Sequence, residues 1–301
     1  MATAAETSRA VLPLPGGEPG ATVALYPFLS AECQAPPAWF QRAEGRLAPL
    51  KALGIGVSRR DYQTIPIVCF LIVHPGAGPV LVDTGLHPSV AVDPRQNLGR
   101  LGAQLFGEID MEPSQATPAQ LRALGIEPDE VTTILMTHMH LDHASAISEF
   151  PAATFLLSLR EWRAATGPRP ALHGYVRGQF DHAFDYRTLD FDRGADSFAS
   201  FGQSFDIFGD ESVRVVSTPG HTDGHMSVIA RLRAREVLLA GDAIYTLRTL
   251  RESHLPARCE DEHRFRRSLR EIQMYAEQTP DALIVPGHDI DAWRALEPVY
   301  E

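Results

Sequence analysis

Short apolar runs, several of them rich in β-branched residues, recur along this chain and predict a fold built largely on β-sheet. The run IPIVCFLIVH (65–74) leads through the turn residues HPGAGP into VLVDTG (80–85), a pattern typical of a β-hairpin. Because both arms are apolar almost throughout, both faces of this hairpin are expected to be covered. A further strand is predicted over VTTILMT (131–137), directly before a histidine cluster.

The remaining periodicity predicts helices alternating with strands. Helix periodicity with a glycine stop appears in PAQLRALG (118–125), and a second helix is expected over 263–277. ATFLLS (153–158) is predicted to form a strand and LREWRAA (159–165) a helix. Further strands are expected over VRVVST (213–218), MSVIARL (226–232), EVLLAGD (236–242) and ALIVP (282–286). Four of the predicted strands stop at a candidate metal ligand, and loops at strand ends are where a rigid sheet positions a site.

The domain organisation expected from this pattern is one large domain over residues 21–301. Residues 1–20 combine Pro, Gly and small residues without periodicity, which predicts a flexible N-terminal leader or a surface arm. Residues 166–205 show no clear period either, and we expect them to form an insertion or a lid near the site.

The net charge, the hydrophobic pattern and the cysteine content indicate which kinds of partner and which compartment this protein has. A formal net charge of -11 disfavours nucleic-acid binding, and the arginines Arg264, Arg266, Arg267 and Arg270 are interpreted as a solvated helix face. The chain shows no apolar stretch of membrane-spanning length and no signal-peptide pattern at its N-terminus, so no membrane association is expected. Three widely separated cysteines argue against a disulfide framework and favour a cytoplasmic protein.

The candidate chemistry lies in the segment Thr137 to His143, which packs three histidines and an aspartate into HxHxDH. In an extended stretch His138 and His140 point to the same side and can reach one ion, whereas a turn must bring Asp142 and His143 toward a second. Isolated histidines, such as His173 or His254, are interpreted instead as surface or satisfied core groups. Imidazole and carboxylate ligands without thiolate favour zinc, with iron, cobalt or manganese as alternatives.

Two ions need more ligands than this segment offers. His221 in STPGHTDGH, Asp242 in LLAGDAIY and His288 in IVPGHD each follow an apolar run, and a neighbouring glycine allows the backbone to approach a metal closely. They complete the predicted set of seven metal ligands. The adjacent His225 and Asp289 are assigned to supporting positions.

HxHxDH followed by a distant His, Asp and His, with VLVDTG upstream, resembles the metallo-β-lactamase superfamily over roughly residues 60–290. The resemblance implies an α+β or α/β fold, a four-layer αβ/βα sandwich. It also implies a dinuclear centre with Asp242 as the bridging ligand and Asp83 as a supporting group. One ion would be held by His138, His140 and His221, and the other by Asp142, His143 and His288.

Such a centre activates a bridging hydroxide, which attacks a carbonyl carbon or a phosphoryl phosphorus. Asp142 is placed to pass a proton to the leaving oxygen. Tyr245, in GDAIYT, is expected to donate to the oxyanion as hydroxide adds. This GDxxYT arrangement and the hairpin are similar to those of the N-acyl homoserine lactone lactonases, the quorum-quenching branch of the superfamily. The resemblance implies hydrolysis of a small-molecule lactone or ester and suggests a homodimer, with APPAWF (35–40) as a contact or a substrate rim.

Several rival functions share this ligand set. A glyoxalase II-like thioesterase uses all seven ligands, and a phosphotriesterase-like hydrolase uses similar metals. Class B β-lactamase activity is disfavoured by the bridging Asp242, nuclease activity by the acidic charge, and the diiron redox pattern by His140, where that pattern has glutamate. An iron-dependent persulfide dioxygenase and a non-catalytic binding module are the remaining alternatives.

Overall fold

The computed structural model of the chain describes residues 7–301. Within that range the strands form two sheets that follow one another along the sequence. The first sheet contains β1 (Thr7–Arg9), β2 (Ala24–Ala35), β3 (Gln63–His74), β4 (Gly78–Val82), β5 (Ile109–Asp110), β6 (Thr133–Leu135), β7 (Thr154–Ser158) and β8 (Asp185–Leu189). The second contains β9 (Asp196–Phe198), β10 (Phe201–Asp206), β11 (Val213–Ser217), β12 (Met226–Arg231), β13 (Glu236–Gly241) and β14 (Leu283–Pro286).

Both sheets mix parallel and antiparallel pairs. The order of the first is β1-β8-β7-β6-β4-β3-β2-β5, in which β4, β6, β7 and β8 run parallel to one another. The order of the second is β14-β13-β12-β11-β10-β9, antiparallel except for the parallel pair β13 and β14. Parallel neighbours bring their carboxyl ends to the same sheet edge, which is where polar loops can meet.

The helices of the described chain are mostly short. They are α1 (Ala48–Ala52), α2 (Arg95–Leu105), α3 (Thr117–Ala123), α4 (Leu159–Thr166), α5 (Leu247–Glu252), α6 (Glu262–Gln278) and α7 (Ile290–Arg294). Side chains cap the two helices that matter most below: Ser158 accepts from the backbone N–H of Arg160 at the start of α4, and Asp261 from that of Arg264 at the start of α6. Nowhere in residues 7–301 is a helix both long and apolar enough to cross a membrane.

Successive side chains of a strand point to opposite faces of the sheet, so the buried residues form separate core layers. Val68, Phe70 and Ile72 of β3 point between the sheets, where they pack against residues such as Val215 and Val228 of the second sheet. The intervening Cys69 and Leu71 point the other way, into a cluster with Leu121 of α3 and Trp162 of α4. On the far side, Phe265, Leu269, Ile272 and Tyr275 of α6 cover the outer face of the second sheet. Helix, sheet, sheet and helix therefore stack in that order, and the predicted αβ/βα sandwich is confirmed.

Where the structure describes it, the N-terminal segment lies along the sandwich, as the surface-arm alternative has it, and not as a flexible leader. Thr7–Arg9 pair in parallel with β8, the buried Leu14 joins the core between the sheets, and the backbone N–H of Glu18 donates to Asp210 at 2.8 Å. Residues 7–20 thus pack on the sandwich because their few apolar side chains find an uncovered edge. Residues 1–6 of the predicted leader lie outside the described residues.

Two other stretches differ from expectation. The strand predicted to reach Thr137 ends at Leu135, because the Thr137 backbone N–H bonds to the Asp83 carboxylate rather than to a strand partner. Residues 166–205, predicted as an insertion or lid, contain strand β8 and the start of the second sheet. The part over residues 170–179 approaches the site: Gly174 lines the cavity, the Tyr175 ring lies 5.2 Å from that of His140, and Gln179 donates to the Leu141 carbonyl.

Candidate metal centre

The HxHxDH segment leaves β6 through a fixed anchor and then turns. The backbone N–H and the hydroxyl of Thr137 both donate to the Asp83 carboxylate at 2.7 Å. The carbonyl of His140 accepts from the backbone N–H of His143 at 3.0 Å and of Ala144 at 2.9 Å, which closes one helical turn. This turn, expected from the sequence, sends the second half of the motif toward a different part of the site from the first half.

The other candidate ligands come from the second sheet. Asp242 follows β13 directly, whereas His221 and His288 follow β11 and β14 through short glycine-containing turns. Gly220 has φ +135°, and a Cβ there would lie 2.2 Å from the backbone nitrogen of Phe265 in α6. Only glycine fits that position without displacing the helix. All seven predicted ligands therefore meet at one end of the sandwich.

The ligand atoms form two groups. His138, His140, His221 and Asp242 make up the first group, and Asp142, His143 and His288 the second; within each group the ligand atoms lie within 4.8 Å of one another. Both groups are buried and both are suited to hold a metal ion.

Asp242 lies between the two groups. Its Oδ2 is 3.2 Å from Nε2 of His221 and 3.9 Å from Nε2 of His138. Its Oδ1 is 3.4 Å from Nε2 of His143 and 3.3 Å from Nε2 of His288. One carboxylate thus offers one oxygen to each group, which is the arrangement a bridging ligand requires.

Unsatisfied atoms show that the site fits two cations. Nε2 of His138, Nε2 of His143 and Oδ1 of Asp242 are buried and have no hydrogen-bond partner. Buried polar atoms are almost always paired, so a cluster of unpaired lone pairs calls for a positive ligand. Nδ1 of His140 and Nε2 of His221 also face each other at 2.8 Å, as two nitrogens that share one ion do.

The outer nitrogens of the histidines are already engaged, which fixes their tautomers. Nδ1 of His143 donates to Asp83 at 2.7 Å, Nδ1 of His288 to the Pro66 carbonyl at 3.1 Å, and Nε2 of His140 to the His173 carbonyl at 2.8 Å. Partners of this kind orient metal-binding imidazoles and raise their basicity. Each ring thereby turns its inner nitrogen toward the centre.

The electrostatics of the first group favour the metal-binding form of its histidines. Burial, reinforced by neighbouring histidines, lowers the pKa of His138 and of His140 well below the usual value, and burial lowers the pKa of His221 to about 3. Burial would raise the pKa of Asp242, but the adjacent histidines outweigh it and hold that pKa well below its usual value. At neutral pH the first group consists of neutral imidazoles and a carboxylate.

The histidine and the aspartate beside the candidate ligands, His225 and Asp289, have hydrogen-bond partners of their own. His225 accepts from the backbone N–H of Asp242 at 3.0 Å through Nε2, so its ring orients the Asp242 loop. Asp289 accepts from the backbone N–H of Leu247 and caps α7. His173 is partly exposed and bonds to Glu260, and its contribution to the site is its carbonyl oxygen.

A cavity of about 340 Å³ opens onto both groups. Tyr245 lines it, and its hydroxyl lies 3.3 Å from Nδ1 of His221. Burial, followed by the charge of Asp242, raises the pKa of this phenol well above the usual value, so it remains a hydrogen-bond donor. The wall is mainly apolar and includes Trp39 of the APPAWF segment; its other apolar members include Leu53, Leu105, Phe106, Leu141 and Leu172.

Two residues near the centre were not singled out from the sequence. Glu161 of α4 is completely buried behind the histidine loops. Arg258 lines the cavity, and its Nε is buried without a partner. No sequence signal marked them, because LREWRAA is typical of an ordinary amphipathic helix and the segment around Arg258 has no period.

Comparison with known proteins agrees with this geometry. A profile described as the metallo-beta-lactamase superfamily matches residues 63–288. The N-acyl homoserine lactonase AttM of Rhizobium radiobacter is 36% identical over 236 residues, which is 77% of this chain and 85% of that protein.

Solved structures share the fold. An N-acyl homoserine lactone hydrolase with the product N-hexanoyl-L-homoserine at its catalytic metal center matches with a TM-score of 0.72 at 22% identity, covering 93% of this chain and 100% of that one. AidC, a dizinc quorum-quenching lactonase, matches with a TM-score of 0.59 at 15% identity, covering 92% and 90%. With its profile match across most of the sandwich and its ligands collected at one end, this chain belongs to the metallo-β-lactamase superfamily.

Proposed function

We propose that this protein is a dinuclear-metal hydrolase that opens the lactone ring of N-acyl homoserine lactones or of similar lactones. One observation carries the proposal: an apolar cavity ends on two groups of ligands that share Asp242, with the Tyr245 hydroxyl beside them. The relative AttM, named as an N-acyl homoserine lactonase, supports the choice of substrate.

Each part of the substrate has a complementary feature. The acyl chain of such a lactone is apolar and suits the wall formed by residues such as Trp39, Leu53 and Phe106. Its ring is an ester, whose carbonyl oxygen gains negative charge during hydrolysis. In this proposal the Tyr245 hydroxyl, which lines the cavity, donates to that oxygen, and donors aimed at developing charge are among the largest contributions to catalysis.

The ions, when bound, supply Lewis acidity and lower the pKa of water so that hydroxide is available as nucleophile near neutral pH. The other steps of the proposed reaction depend on side chains of the protein. Asp142 lines the cavity, and in this proposal its carboxylate carries a proton to the leaving alkoxide oxygen. An acyl chain lying along the apolar wall would displace water from the site, which would strengthen the hydrogen bond from Tyr245.

We further propose zinc as the metal, since the donors are imidazole and carboxylate in buried, closely spaced groups. Elemental analysis of protein purified without added metal tests this choice. Two zinc ions per chain are expected, and a stoichiometric content of iron, manganese or cobalt would replace zinc in the proposal.

Two properties of the whole protein complete the proposal. A cytoplasmic location is supported by three cysteines that remain free, two of them buried. A homodimer is expected by analogy, and its mass in solution by light scattering would decide between one and two chains.

The substrate is tested with metal-loaded protein and a pH indicator, because ring opening releases a proton. The panel contains acyl homoserine lactones with chains of increasing length, S-lactoylglutathione and paraoxon. We expect the lactones to be turned over with the highest kcat/KM. Turnover of S-lactoylglutathione alone would make the protein a thioesterase, and turnover of paraoxon alone a phosphotriesterase. Failure on every lactone, with both ions bound, would overturn the lactonase proposal.

A further inference from the structure

A carboxylate with no direct access to the cavity holds the two histidine loops together. Glu161, in the first turn of α4, is completely buried, which is rare for glutamate unless every oxygen is paired. Its Oε1 accepts from the backbone N–H of Met139 at 2.9 Å. Its Oε2 accepts from the Thr222 hydroxyl at 2.6 Å and from the backbone N–H of Gly224 at 3.3 Å. The side chain therefore connects two loops that are distant in sequence.

These two loops carry the three histidines of the first group. Met139 lies between His138 and His140, and Thr222 follows His221. One oxygen of Glu161 fixes the first loop and the other fixes the second, so the carboxylate spans the separation between the histidine pair and His221. The histidines of the second group have other partners, namely Asp83 and the Pro66 carbonyl.

The helix that carries Glu161 also touches the second loop through its backbone. A Cβ at Gly224 would lie 2.0 Å from the backbone nitrogen of Glu161 and 2.6 Å from its Cα. Only glycine permits this approach, which brings the carboxylate within reach of both loops. The contact is independent of the hydrogen bonds and points to the same docking of α4 behind the first group.

We propose that Glu161 is a positioning residue that sets the spacing between His138, His140 and His221 and thereby the affinity of the first group for its ion. It acts behind the ligands and does not contact substrate. The inference rests on the ion-binding part of the proposed function and is independent of the lactone substrate.

The chemistry of the donors, which include the Tyr175 hydroxyl, explains why a carboxylate is required. An ionised carboxylate only accepts, and every partner here donates. Glutamine has the same shape but carries one NH₂ group, which must face either Met139 N–H or Gly224 N–H. Either orientation sets two donors against each other and pushes one loop away, so Glu161→Gln changes the spacing without creating a cavity.

The experiment compares Glu161→Gln with a matched variant, Asp210→Asn. Asp210 is also a buried carboxylate that accepts from backbone N–H groups and from His74, but it lies away from both ligand groups. Bound zinc is counted by elemental analysis after dialysis against a weak chelator. The buffer is held at pH 8, above the value of about 7 to which burial raises the pKa of Glu161. The visible spectrum of the Co²⁺-substituted protein reports the geometry of the ion that remains.

We expect the unmodified protein and Asp210→Asn to retain two ions, and Glu161→Gln to retain about one, with an affinity loss of about 10- to 100-fold confined to one site. The Co²⁺ spectrum should lose the bands of one site only. Two ions held at unchanged affinity in Glu161→Gln would overturn the proposal. Equal loss of both ions, or the same loss in Asp210→Asn, would do so too, because it would indicate a general effect on folding.

A second variant covers the case in which Glu161→Gln does not fold. Thr222→Val removes one donor, keeps the shape of the side chain and leaves the carboxylate in place. It should weaken the same site by a smaller factor, and an unchanged affinity would contradict the inference. Because ion counting needs no substrate, failure here leaves the lactonase test untouched, and failure on lactones leaves this result standing.

Discussion

Individual side chains at this site are fixed before any ligand arrives. The inner nitrogens of the histidines point at the centre because their outer nitrogens are held by Asp83, by backbone carbonyls or by hydroxyls. Such preorganisation means that little rearrangement is needed on ion binding. Tyr245 is similarly restrained, with its ring edge-on to His221 and His288.

Replacement of Tyr245 by phenylalanine isolates the hydroxyl. The ring packing is kept while the donor to the developing oxyanion is lost, so kcat on an acyl homoserine lactone should fall on the order of 100-fold or more. Metal content should stay at two ions per chain. Steady-state kinetics and elemental analysis on the same sample check both expectations, and an unchanged kcat would reduce Tyr245 to a packing residue.

The sequence predicted which residues cluster as candidate ligands, and it assigned Asp83 and His225 to supporting positions, but it did not predict the support from Glu161. His138, His140, Asp142 and His143 form a dense motif after an apolar run, and His221, Asp242 and His288 follow strands of the same kind. Glu161 acquires its environment only when α4 docks on two loops far apart in sequence. Helix periodicity cannot distinguish such a carboxylate from one on a solvated face.

Elements were predictable where their apolar runs are uninterrupted. Strands β3, β7, β11, β12 and β13, and helices α3, α4 and α6, lie where the pattern placed them to within a few residues. Strand β2 escaped prediction because Pro27 and polar residues such as Glu32 and Gln34 break its apolar pattern. Its position is set by long antiparallel pairing with β3, which is tertiary information.

The contact between the His221 loop and α6 yields a prediction at the scale of elements. Gly220→Ala places a Cβ 2.2 Å from the Phe265 backbone nitrogen and forces φ +135° on alanine, so α6 must shift. The variant should lose more than about 1 kcal/mol of unfolding free energy, measured by urea denaturation.

Gly178→Ala is the matched control for that substitution. A Cβ at Gly178 meets no atom within 4 Å, and its φ lies outside the positive range. This variant should unfold at the urea midpoint of the unmodified protein or slightly above it. If both glycine variants behaved alike, the close packing of α6 on the His221 loop would not contribute to stability.

At the scale of the molecule, the ligand set joins the two sheets. Four candidate ligands leave the first sheet after β6, and three leave the second after β11, β13 and β14. Ions bound there cross-link the sandwich at one end, and ligands that bind only the folded state stabilise it by mass action.

Removal of the ions should therefore lower Tm as well as abolish activity. Each ion at a free concentration of about a hundredfold over its Kd contributes about 2.7 kcal/mol to the free energy of unfolding. Calorimetry before and after chelation, followed by readdition of zinc, measures the loss and its recovery. An identical Tm in both states would mean that the centre does not hold the sheets together.

Polar and apolar residues line different ends of the cavity, and this has a consequence for which molecules can enter. Its floor carries the ionisable ligands with Arg258 beside them, whereas much of the rest of its wall is aliphatic or aromatic and continues to the partly exposed Leu53 and Leu172 at 56% and 70% accessibility. An amphiphilic molecule can match both ends of the cavity in only one orientation. Its oxygen-rich head then lies at the floor, and its apolar tail extends toward solvent. A charge on the part of the tail that lies against the aliphatic and aromatic wall should prevent binding even when the head group fits, whereas a charge at a tail tip that reaches solvent should be tolerated, so the chamber sorts molecules by polarity along their length.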